Sequence, residues 1–118
     1  MYTKSFQTVS KYKNVKVCGY DSHKEANRGF ELELLQKQGE ISELSKQTKI
    51  DLFGQNGTKV CYYKADFTYY DKDGAWVIED VKSKFTAHFS TFRLKWKLVE
   101  DKYKEEVRKG TVKLLIVI

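Results

Sequence analysis

The stretch from Ala65 to Lys82 constrains the fold most. Ala65-Asp66-Phe67-Thr68-Tyr69-Tyr70 is β-branched and aromatic, Asp71-Lys72-Asp73-Gly74 carries turn residues, and Ala75-Trp76-Val77-Ile78 resumes the extended pattern. That order predicts a β-hairpin. Side chains alternate faces along a strand, so Asp80 and Lys82 share a face with Trp76 and Ile78, while Glu79 points the other way with Val77 and Val81. A turn centred on Lys72-Asp73 sets Asp66 opposite Glu79 or Asp80, and a G1-type bulge at Gly74 selects between them. Asp is a poor strand former, and a surface position near a turn is the plain reading of each aspartate. Asp80, however, shares its face with two large apolar residues. Burial without a partner is costly, so a metal ion or Lys82 is its expected companion.

The other elements follow from pattern. Ser22 with Glu25 three residues later is a capping-box signal, and Ala26, Phe30, Glu33 and Leu34 define one side of a helix from about Ser22 to Gln38. Gln47 to Phe53 predicts a strand, Asn56-Gly57 a hairpin turn, Lys59 to Tyr70 a second strand and Ala75 to Val81 a third. Phe92, Trp96, Val99, Tyr103 and Val107 recur at helical spacing. Thr111 to Ile118 is an apolar strand, buried on both faces if it pairs centrally. The predicted order is α-β-β-β-α-β, an α/β domain with a mixed central sheet flanked by helices.

Two carboxylates and an ammonium brought together on neighbouring strands suit phosphodiester hydrolysis. That reaction needs a water made nucleophilic near neutral pH and positive charge where the transition state becomes more negative. Carboxylates are hard oxygen ligands for Mg²⁺, and a lysine beside the metal can orient or deprotonate water.

Asp66 followed by Asp80-Val81-Lys82 resembles the bipartite PD-(D/E)xK signature of the restriction-endonuclease-like nucleases, with Ala65 where the pattern often has proline. Asp21-Ser22-His23-Lys24-Glu25, Gly39-Glu40-Ile41-Ser42-Glu43-Leu44, Tyr63-Lys64-Ala65-Asp66-Phe67 and Glu79-Asp80-Val81-Lys82 are similar to segments of a family of small phage-encoded proteins of that superfamily. The similarity runs from about Lys11 to the C-terminus. It implies a restriction-endonuclease-like core and Mg²⁺-dependent DNA cleavage, with Mn²⁺ as a substitute metal. Asp66, Asp80 and the Val81 backbone carbonyl would be ligands, Glu25 on the first helix a third acid, and Lys82 the water-positioning group. The phage relationship points to branched or junction DNA in replication, recombination or packaging, within the host cytoplasm. Cutting two strands symmetrically favours a C2 dimer. For Glu25 two readings stand, since its carboxylate either caps the first helix or joins the metal. Glu79 is outside the ligand set, or an alternate ligand if the register shifts.

Charge and size fit a DNA partner. Lys plus Arg number 22 against 16 Asp plus Glu, a net charge of +6, and basic surroundings must offset the acids before a polyanion approaches. Lys64, Lys84, Arg93 and Lys97 are the candidate phosphate contacts, alongside Lys82 and Lys95, and Lys4, Lys11, Lys13 and Lys16 make the N-terminal 20 residues a basic extension to the core. Any one lysine can equally belong to a solvated helix face. The 118 residues fit a single domain, and no stretch is long enough to cross a membrane. Cys18 and Cys61 occur without a secretory signal and are expected as reduced thiols, and His23 and His88 form no triad with either. A rival reading comes from Tyr62, Tyr63, Phe67, Tyr69 and Tyr70, which can form a stacking platform for single-stranded nucleic acid without catalysis. A catalytically inert nuclease fold that binds DNA or another protein is its counterpart.

Overall fold

A computed structural model describes residues 22–118. Lys4, Lys11, Lys13, Lys16 and Cys18, and with them the basic extension, lie outside the described residues. Cys61 is a free, half-buried thiol. The chain is mixed α/β. Helix α1 (His23–Lys37) leads into strands β1 (Ser42–Phe53), β2 (Lys59–Tyr70) and β3 (Trp76–Val81), then a 3-10 turn (Thr86–His88), helices α2 (Ser90–Lys102) and α3 (Lys104–Lys109), and strand β4 (Val112–Val117). The sheet runs β1-β2-β3-β4, antiparallel across β1–β2 and β2–β3 and parallel across β3–β4. Parallel pairing of sequence neighbours demands a long crossover, and the segment carrying α2 and α3 supplies it. Among the described residues no helix is long and apolar enough to span a membrane.

Each face of the sheet carries a helix. Ala26 and Leu32 of α1 pack with Ile41, Phe67, Tyr69, Val77 and Val81. Trp96 and Val99 of α2 pack with Ile50, Leu52, Tyr63, Ala65, Ile78 and Val112. The assignment of Val77 and Val81 to one side and Ile78 to the other is the alternation expected of β3.

Several expectations are corrected. The buried residues of α1 are Glu25, Ala26, Gly29 and Leu32, so of the predicted side Ala26 is buried while Phe30 and Leu34 are exposed. Strand β1 begins at Ser42 rather than Gln47, since its polar first half hides it from an apolar-run criterion. Strand β4 lies at the edge of the sheet, so the condition for burial on both faces is not met and Leu115 stays 41% exposed. The predicted last helix also divides at Tyr103, whose φ of −106° and ψ of 18° leave the helical region.

Candidate active site

The hairpin turn decides which acid meets Asp66. Asp71 Oδ1 accepts from the Asp73 and Ala75 amides, the Gly74 amide donates to the Asp71 carbonyl, and Gly74 adopts a φ of 86°. A left-handed residue at that point is the G1 arrangement that glycine permits. The resulting register pairs Tyr70 with Trp76 and Phe67 with Glu79, so Asp66, one residue further, stands opposite Asp80.

At Asp66 the regular sheet breaks. Tyr63 and Ala65 belong to the α2 side and Phe67 and Tyr69 to the α1 side, although all four are odd-numbered. Across on β1, between the pairs Lys46–Phe67 and Thr48–Ala65, Gln47 holds a φ of 55°, a conformation rare for a residue with a side chain and concentrated at functional sites. The β2–β3 ladder ends at Phe67–Glu79. The Val81 amide donates to Asp66 Oδ2 at 2.8 Å, while Lys82 continues the β3–β4 pairing by donating to the Val117 carbonyl. A pocket of about 530 Å³ opens where β2 and β3 part, lined by Glu25, Asp66, Val81 and Lys82 together with Lys24 and the first turn of α2.

Asp80 is 1% exposed, and neither of its carboxylate oxygens has a hydrogen-bond partner. Lys82 Nζ lies 2.9 Å from Oδ2 as an ion pair without hydrogen-bond alignment, and the ammonium also sits 4.8 Å from the Phe92 ring centre. Burial, then proton sharing with the Asp80 carboxylate and the charges of Asp80 and Glu25, push Asp66 up to about 8, against the opposing pull of the Val81 amide. Burial and then the Asp80 charge also push the Tyr63 hydroxyl well above its ordinary range. Two carboxylates in contact cannot both ionise cheaply. They need a proton or a cation.

The third acid, Glu25, is buried on α1 and lines the same pocket. Ser22 Oγ caps α1 by accepting from the Glu25 amide at 3.1 Å, and Glu25 Oε2 accepts from Gln47 Nε2 at 3.0 Å. The carboxylate therefore faces the left-handed point of β1 as well as the pocket. No three His, Cys, Asp or Glu side chains among the described residues are grouped as a ready-made metal site. The donor chemistry nevertheless fits a hard divalent cation: the Asp66–Asp80 pair supplies oxygen ligands, and such an ion would add positive charge to a pair that has only Lys82 beside it.

Glu79, the alternate acid, is on the opposite face. It is fully buried and accepts from Arg28 Nε at 2.6 Å, Arg28 Nη2 at 2.9 Å and the Tyr69 hydroxyl at 2.8 Å. It locks α1 onto the sheet and does not reach the pocket.

The candidate phosphate contacts Lys64, Lys84, Arg93 and Lys97 are all exposed, and none lines the pocket. Lys97 pairs with Glu100 at 3.7 Å. Among the aromatic residues proposed as a platform, Tyr63, Phe67 and Tyr69 are core, and only Tyr62 and Tyr70 are exposed. Sequence reasoning missed Gln47, Lys24, Ser83, Thr86, Phe89 and Phe92. Lys24 was legible as a cation beside Glu25. Gln47 carries no signal until β1 pairs opposite Asp66, and Ser83, Thr86, Phe89 and Phe92 none until the crossover brings them to the pocket.

No curated protein and no solved structure matches this chain. A sequence-family profile does match, over residues 9–115. The chain therefore belongs to the family described as protein of unknown function, DUF1064.

Proposed function

We propose that this protein is a metal-dependent endonuclease that hydrolyses phosphodiester bonds in DNA on a restriction-endonuclease-like scaffold. The observation that carries the reading is the pairing of half-buried Asp66 with buried Asp80, whose carboxylate has the Lys82 ammonium at 2.9 Å but no aligned donor, beside a pocket that Asp66 and Lys82 line. A structural pair of acids would be expected to acquire donors, as Glu79 has. The helix, three strands, helices and strand in sequence order agree with that scaffold.

In this reading Asp66, Asp80 and the Val81 carbonyl hold Mg²⁺, or Mn²⁺ in its place, with Glu25 completing the oxygen set. The bound ion supplies Lewis acidity and a water of lowered pKa. Lys82, positioned by Asp80 and by the Phe92 ring, orients that water and faces the charge that grows on the phosphate. Lys24 lies at the pocket rim, and the first turn of α2, which no side chain caps, lines its wall. Both favour an anionic phosphate there. Branched DNA of the kind formed in phage replication and recombination is the preferred substrate, and a C2 dimer the form that would cut it symmetrically.

The test is cleavage of labelled four-way junction, flap, duplex and single-stranded DNA in Mg²⁺, Mn²⁺ or EDTA. The wild type should cut only with metal, and Asp80→Asn or Lys82→Ala should each lower the rate by about 10²- to 10³-fold, the scale of losing one transition-state contact. Tight DNA binding with no cutting, unchanged by EDTA and by both substitutions, would make the protein a binding module on a nuclease-like fold.

A further inference from the structure

We propose that Phe85 and Phe89 form an aromatic lip that stacks an unpaired nucleobase beside the pocket, so that the site selects strands whose bases are already unstacked. The inference rests on the nuclease reading above and names its substrate class.

The lip is built rather than incidental. On leaving β3 the chain makes a turn closed by its own hydroxyls: the Ser83 amide donates to Thr86 Oγ1 at 3.0 Å, the Thr86 amide donates to Ser83 Oγ at 3.0 Å, and the two hydroxyls meet at 2.9 Å. That turn holds Phe85 outward at 74% exposure. Phe89, at the start of α2, meets it edge-to-face with ring centres 5.2 Å apart. The two rings in contact form a small exposed apolar patch at the pocket's edge that a flat apolar group can cover.

Position and charge identify the occupant. Phe89 lines the same pocket as Asp66 and Lys82. Lys84 precedes Phe85 directly, and Arg93 is one helical turn beyond Phe89, its amide bonded to the Phe89 carbonyl. Exposed rings with cations next to them in sequence, beside a pocket of about 530 Å³, match a single nucleic-acid strand, whose bases stack while its phosphates pair with cations. A continuous duplex offers its base faces only to neighbouring bases, so flaps, junction arms and single strands would engage the lip and intact duplex would not.

The experiment measures binding in EDTA, where cleavage plays no part, by fluorescence anisotropy of a labelled flap and of a fully paired duplex of equal length, for wild type, Phe85→Ala and Phe85→Trp. A flap carrying 2-aminopurine at its first unpaired base reports stacking in parallel. Phe85→Ala should weaken flap binding by roughly tenfold, the scale of one base on one ring, with duplex binding changed less than twofold, and should abolish the 2-aminopurine change seen with wild type. Phe85→Trp should restore both. Equal losses on flap and duplex, or none on either, overturn the lip, and if metal-dependent cutting persists the nuclease reading survives that failure. A wild type that binds neither DNA overturns both. Loss of binding to anionic vesicles, or of self-association in light scattering, with DNA binding intact, reassigns the lip to a membrane or to a second copy and overturns the proposal.

Discussion

Glu79 and Asp80 are adjacent on β3 and almost equally buried, yet their surroundings are opposite. On the α1 side, Glu79 receives two hydrogen bonds from Arg28 and one from Tyr69. The guanidinium is pushed further above its ordinary range, chiefly by that hydrogen bonding. On the α2 side, Asp80 has a lysine at 2.9 Å and a second carboxylate as neighbour, with no aligned donor. The first acid is satisfied within the fold, and its role is to fix α1 on the sheet. The second has no aligned donor, and its neighbours Asp66 and Lys82 line the pocket. Similar burial with different satisfaction separates a structural carboxylate from a candidate functional one more clearly than residue type does.

The comparison can be broken most directly at Arg28. Arg28→Met leaves Glu79 buried with only Tyr69 and should cost about 3–5 kcal/mol, the range for removing one partner of a buried ion pair, read as a lower urea midpoint with unchanged slope. A cost below about 1 kcal/mol would mean that Glu79 is no better satisfied than Asp80.

A smaller effect tests the Asp66–Asp80 side through pH. The folded-state value of Asp66 is raised from 3.8 to about 8. Its contribution is therefore fully present below about pH 4 and is lost as pH rises to 8, because the unfolded chain releases that proton more readily. In EDTA the wild type should lose on the order of 2 kcal/mol across this range, less than an unscreened shift implies because the side chain faces an open pocket. Asp66→Asn should flatten the profile, and Mg²⁺ at pH 8 should raise the melting temperature of the wild type but not of the variant. A flat wild-type profile in EDTA would remove the electrostatic case for the site.

The smallest effect sharpens the contrast with two tyrosines. Tyr69→Phe removes a donor from Glu79 and should cost about 1 kcal/mol. Tyr63→Phe removes a buried hydroxyl that lies near Asp80 without an aligned hydrogen bond and should change stability by less than about 0.5 kcal/mol. Denaturation of both variants at pH 7 decides the matter, and equal costs would erase the distinction between the two faces.

Much of the fold was legible because local signals agreed with one another. Ser22 does cap α1, strand β2 has the expected limits, Gly74 supports the expected bulge, and β3 alternates as expected. What was hidden depends on contacts between segments distant in sequence. On α1 the turn-by-turn spacing of Glu25, Gly29 and Leu32 marks the buried stripe, whereas Phe30 and Leu34 look like core by spacing and are exposed. Whether the apolar β4 pairs centrally or at the edge is a matter of topology rather than composition.

For the candidate site, the sequence alone determined which residues have the chemistry: Asp66, Asp80, Lys82 and Glu25, in an order that a hairpin and a preceding helix can bring together. Only the tertiary structure decided that Asp80 rather than Glu79 meets Asp66. Only the structure showed that Gln47 takes a left-handed turn opposite Asp66, that Arg28 and Tyr69 occupy the other acid, and that the 83–92 segment closes the pocket. The reason is physical. Alternation and turn propensity act over a few residues, whereas desolvation of a carboxylate depends on whatever the whole chain packs around it.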